Sequence, residues 1–128
     1  MRREKGQVYV RFVCFQLVAG QRNRLGLVQA LDEARDSPIA PNWALAEVAN
    51  IYDWFEKNLP TPDRFGGGQT GLSWFKSEAT DHVQQMHRLK LALEECGVHV
   101  EVVTTRDPGA LIYQDEFQIV AASGHRRF

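Results

Sequence analysis

The chain has 128 residues, a formal net charge of −1, 44% apolar residues and 24% charged ones. That length suits one domain able to bury roughly two-thirds of its unfolded surface, and the balance excludes a disordered polyelectrolyte. A near-neutral total also argues against a free nucleic-acid binder, which carries a basic excess; the basic residues near the ends (Arg2, Arg3, Lys5, Arg126, Arg127) are read as frayed, solvated termini over 1–6 and 123–128.

Along the chain, residues 8–18 alternate Val8, Val10, Phe12 and Cys14 with Tyr9, Arg11, Val13 and Phe15. Both faces are largely apolar, which predicts a central strand. The run is too short for a membrane span, Arg11 interrupts it, and no small-residue cleavage site follows it. Cys14 and Cys96 belong to no C-x-x-C pair, so the expectation is a cytoplasmic protein with buried free thiols. Residues 20–24 read as a polar break, and residues 25–35 as a short helix.

After the breaker-rich residues 37–41, Asn42 is a candidate N-cap. Leu45, Val48, Tyr52, Phe55 and Leu59 then recur every three or four residues, which is one helical stripe. Trp43, Ile51 and Trp54 widen that apolar face, and Asn58 and Pro60 end the helix. Residues 60–71, with two prolines and the run Gly66-Gly67-Gly68, are expected to be a mobile internal loop. Structure resumes over 72–76, and Ser77 is a candidate cap for a second long helix reaching about Cys96. Ala79, Val83, Met86, Leu89 or Lys90, Leu93 and Cys96 line its inner face, and Gly97 is its stop. Residues 98–105 are a strand, Asp107-Pro108-Gly109 a type II turn, and 110–114 and 117–122 are short strands flanking Asp115-Glu116. The order predicts an α+β domain over 1–128. A mostly antiparallel sheet of three to four strands, drawn from the N-terminal and C-terminal segments, packs against two long helices and one short helix.

The motifs carry little chemistry. Gly66-Gly67-Gly68-Gln69-Thr70-Gly71 matches G-x-G-x-x-G, but it follows a helix and opens none, so no dinucleotide site is implied. His82 and His87 are five residues apart, about 140° around a helix, which is wrong for a shared metal. Glu78 and His82 share a helical face at spacing four, as a surface hydrogen bond, a metal-binding pair or a tuned base. Asp81, Asp115 and Glu116 offer carboxylates for a divalent ion or for acid–base work. There is no G-x-S-x-G elbow and no recognisable Cys–His spacing. No cofactor and no metal site are read from the sequence.

Three blocks stand together: Asp53-Trp54-Phe55 through Asn58-Leu59-Pro60 to Asp63-Arg64-Phe65; Trp74-Phe75-Lys76 with Ala79 and His82; and Gly97-Val98 through Pro108-Gly109 to Tyr113, Asp115-Glu116 and Gln118. In them the chain resembles a group of small bacterial proteins of unknown function. The resemblance implies a single compact domain and carries no catalytic roles. The polar members of these blocks (Arg64, Lys76, His82, Tyr113, Asp115, Glu116 and Gln118) either converge on one cleft or hold the internal loop down, with Arg64 paired to Asp115 or Glu116 and the Tyr113 hydroxyl bonded to backbone.

Trp43 and Trp74 stand near element boundaries and are candidate interface anchors. The leading expectation is a non-enzymatic binding or protein-interaction module, capable of forming a homodimer through a sheet face bearing Tyr9, Arg11, Val13, Phe15, His99, Glu101 and Val103. The first alternative is a small metal-assisted hydrolase or phosphate-ester enzyme using Asp81, His82, Asp115 or Glu116, with Arg64 and Lys76 on an anion. The second is nucleic-acid association through the basic termini.

Overall fold

The computed structural model describes residues 7–18, 20–59 and 71–122. Strand β1 (Tyr9–Val18) reverses at Gly20, whose φ of +80° suits glycine, into β2 (Gln21–Leu25). The two pair antiparallel from Val18 opposite Gln21 to Cys14 opposite Leu25. Residues 20–24 are therefore mostly strand, not a polar break. Gln21, Arg22, Asn23 and Arg24 have no apolar alternation to reveal this; pairing to a strong neighbour holds them extended.

Helix α1 (Leu27–Asp36) and helix α2 (Asn42–Asn58) follow. Pro41, extended at ψ 151°, occupies the N-cap position of α2, so Asn42 is already helical and caps nothing with its side chain. Strand β3 (Gly71–Lys76) leads to helix α3 (Thr80–Glu95). Ser77 does not cap α3: Ala79 does, after a turn at Ser77 and Glu78. The reason is that the sheet still holds the chain there, with the Lys76 N–H donating to Phe117 O at 2.9 Å and the Ser77 N–H to Val8 O at 3.0 Å. Gly97, at φ +92°, ends α3 as its spacing predicts. Strands β4 (His99–Thr105), β5 (Leu111–Gln114) and β6 (Gln118–Ala122) complete the order, and Gly109 takes the positive φ that a type II turn requires.

The fold is α+β, and among the described residues its sheet has six strands with every pairing antiparallel, against the three to four expected. Three strands bond to β1. β4 pairs along Tyr9 to Phe15, β3 only at Tyr9 and Val10, and β2 only from Cys14 to Val18. A strand has two edges, and β4 overlaps both of the other registers. So β2 and β3 share the opposite edge of β1, end to end, and the sheet splits there. Among the described residues, none pairs with residues 11–13 of β1 on that side. Beyond β3 the sheet continues through β6 to β5.

Two apolar clusters hold the layers. The larger lies between the helices and one sheet face and includes Cys14, Val48, Ile51, Leu89, Leu93 and Val100. The smaller comprises Trp74, Ile119 and Ala121, packed with Tyr9, Leu72 and Val103. Tyr9 and Val103 alternate out of phase with Cys14 and Val100, so this second cluster is on the other face. The chain itself thus covers part of the apolar face that suggested a dimer. Trp74 is 1% exposed and belongs to this core, so it is not available as an interface anchor, whereas Trp43 is 56% exposed. Among the described residues no helix is long and apolar enough to cross a membrane.

Candidate functional site

His82 is buried in the first turn of α3, and its surroundings are aromatic. Its ring stacks on Phe117 with centroids 4.2 Å apart and meets Trp54 edge-on at 4.9 Å. Phe55 and Phe75 lie at 6.0 and 6.3 Å. Nε2 is 2.9 Å from the carbonyl oxygen of Asn58, the last residue of α2. A carbonyl only accepts, so Nε2 carries the proton and donates. The side chain of α3 thereby satisfies an orphan carbonyl at the end of α2. Glu78 is exposed in the turn before α3, not one helical turn from His82, so the expected Glu–His face pair does not form. His87 is exposed and meets the edge of Phe12 at 5.0 Å.

Asp115 organises the turn between β5 and β6. Its Oδ1 accepts the N–H groups of Phe117 at 2.8 Å and Gln118 at 3.0 Å. Its Oδ2 accepts the Tyr113 hydroxyl at 2.7 Å and the Gln118 amide at 3.1 Å. Desolvation pushes this carboxyl upward, but the four hydrogen bonds outweigh it and leave its pKa below the ordinary carboxylate value. The same contact raises the Tyr113 phenol, first through the hydrogen bond to Asp115. Tyr113 thus bonds a carboxylate, not the backbone.

Of the predicted polar cluster, Tyr113, Asp115 and Gln118 form one network, and His82 joins it through the ring of Phe117. Lys76 reaches it through its backbone bond to Phe117. Glu116 and Asp81 are exposed. Arg64, the glycine run and the basic termini lie outside the described residues. Among the described residues no three His, Cys, Asp or Glu side chains are grouped to hold a metal.

Beside this network lies a cavity of about 340 Å³, opened by the split between β2 and β3. Phe12, Phe55, Phe75, Met86, Leu89 and Leu93 supply much of its apolar wall. Phe55 and Phe75 are also ring neighbours of His82, and Gln118 reaches the cavity from the Asp115 turn. Arg11 lines the split, where its Nη1 donates to Ser73 O at 3.2 Å. Among the described residues no carboxylate pairs with Arg11, and no Asp or Glu lines the cavity. Burial lowers the Arg11 pKa, and the positive charge of Arg24 lowers it further. Lys90 also stands in the wall, but Glu94 holds its Nζ at 3.1 Å. Burial pushes the Cys14 thiol in the same wall up to about 11, with Arg11 opposing.

The cavity was not legible in the sequence. It depends on β2, whose strand character is hidden, and Arg11 reads there only as an interruption of a strand. The one local signal was a lone arginine between Val10 and Phe12, in a segment where every neighbour is apolar. No protein family, curated protein or solved structure matches the chain.

Proposed function

We propose that the chain is a small-molecule binding module whose ligand occupies the cavity at the sheet split. One observation carries this reading: an apolar cavity of about 340 Å³ is lined by Arg11 and by no described carboxylate. Ligand pockets span about 300–1,000 Å³ and combine apolar walls with a few polar groups, and this cavity falls at the lower end. A binding role is favoured over a catalytic one by what the polar residues already do. The proton on His82 Nε2 is committed to Asn58, and both Asp115 oxygens are occupied by hydrogen bonds.

Titration with a fluorescent apolar probe, anilinonaphthalene sulfonate, tests the reading. Saturable one-to-one binding to the cooperatively folded protein is expected, and Met86→Trp, which fills the cavity, should abolish it without loss of helix signal. Absence of saturable binding, or binding unaffected by Met86→Trp, would sink the proposal.

Self-association is the second reading, favoured by exposed apolar residues at one end of the helical layer. Arg88 of α3 pairs with Glu47 of α2 at 2.7 Å, which sets the register of these antiparallel helices. Trp43 lies one turn beyond Glu47, and Leu91 one turn beyond Arg88, toward the same end; both are more than half exposed, as is Ile39 beside Gly97. A second copy of the chain would cover this patch. Light scattering across micromolar concentrations decides it: a monomer throughout, for wild type and Trp43→Ser alike, removes the reading.

A further inference from the structure

The charge pattern of the split cavity narrows the class of ligand, on the reading of that cavity as a binding site. A guanidinium has five N–H donors. Among the described residues, Arg11 gives its side-chain hydrogen bond to the Ser73 carbonyl, a neutral acceptor. A guanidinium withdrawn from water is costly unless an anion meets it. Two further cations stand in the wall, Arg24 and Lys90. The charge of Lys90 is matched by Glu94, while that of Arg24 acts on Arg11 with the same sign.

Phe12, Phe75, Met86 and Leu93 line the same cavity as Arg11. An inorganic anion would leave those surfaces uncovered.

We propose that the cavity at the sheet split binds a medium-chain carboxylate, with its carboxyl group on Arg11 and its hydrocarbon body against Phe12, Phe75, Met86 and Leu93.

Isothermal titration of the full chain with octanoate, octanol and octylammonium tests this at neutral pH and low salt. Octanoate is expected to bind at least about tenfold tighter than octanol, the ratio that one charge-assisted pair supplies, and octylammonium not at all. Arg11→Gln should bring octanoate down to the octanol level and leave octanol unchanged. If Arg11→Gln does not unfold cooperatively, Arg11→Lys and wild type at high salt take its place, and both should narrow the preference. Equal affinity for octanoate and octanol in wild type overturns the carboxylate assignment while leaving the cavity a binding site. So does a preference that survives both loss of the Arg11 guanidinium and high salt. Failure of all three ligands to bind at millimolar concentration overturns the cavity reading as well.

Discussion

Replacing His82 tests whether the buried ring is the joint between the helical layer and the β5–β6 hairpin. His82→Ala removes a stack on Phe117 at 4.2 Å and an edge contact with Trp54 at 4.9 Å. Aromatic pairs of this kind contribute about 0.5–1.5 kcal/mol each beyond area burial. It also leaves the Asn58 carbonyl without its donor at 2.9 Å, a loss of about 1–2 kcal/mol for a part-buried acceptor. With the void left by the ring, the expected destabilisation is about 4 kcal/mol, a large share of the 5–15 kcal/mol typical of a domain. His82→Phe keeps a ring in the aromatic box and removes only the donor, so about 1–2 kcal/mol is expected. Urea denaturation followed by far-UV circular dichroism gives both values, provided the slope is unchanged between variants. A His82→Ala protein within about 1 kcal/mol of wild type would refute the reasoning. A His82→Phe protein as unstable as His82→Ala would refute the weight placed on the stack.

Neither thiol should react with Ellman's reagent in the native protein near neutral pH, because both are buried and Cys14 titrates only at about 11; both should react in denaturant, and fast native labelling of Cys14 would contradict its placement. Trp74→Ala should cost about 3–5 kcal/mol by opening the second core, while Trp43→Ala should stay within about 0.5 kcal/mol; similar losses in thermal unfolding would refute the contrast. Asp115 has a folded pKa below its unfolded value, so its stabilisation is full above about pH 4 and is lost as pH falls through the folded value. Wild type should therefore lose its advantage over Asp115→Asn as pH falls below about 4 and through the folded value, and parallel stability curves across that fall would contradict the turn's hydrogen-bond geometry.

Elements with their own periodicity were legible to within a few residues. The β1 alternation, the α2 stripe, the α3 inner face and the Gly97 stop all follow from local chemistry. What was hidden depends on tertiary pairing. Gln21 to Arg24 carry no strand pattern, yet they pair with β1. Ser77 resembles a helix cap until the sheet's hold on its N–H is known. Trp74 resembles an interface anchor until Ile119 lies opposite it across the β3–β6 register. The Tyr113–Asp115–Gln118 network could be guessed as a polar cluster, because its members are close in sequence. That His82 joins through a phenyl ring, and not through a charge, required the fold.

The cavity follows from the same hidden strand. β2 occupies the β1 edge from Cys14 to Val18, so β3 engages that edge only at Tyr9 and Val10. The three-residue gap between them is where Arg11 crosses to Ser73. The cavity of about 340 Å³ is partly open, so water or a ligand fills it. Water suits the Arg11 side and is poorly held against Phe12, Phe75 and Leu93, which offer it no hydrogen bonds. An amphiphile satisfies both sides at once. At a hundredfold excess over its dissociation constant, such a ligand would add about 2.7 kcal/mol to stability, recovering part of what the branched sheet gives up by keeping β3 off the rest of β1.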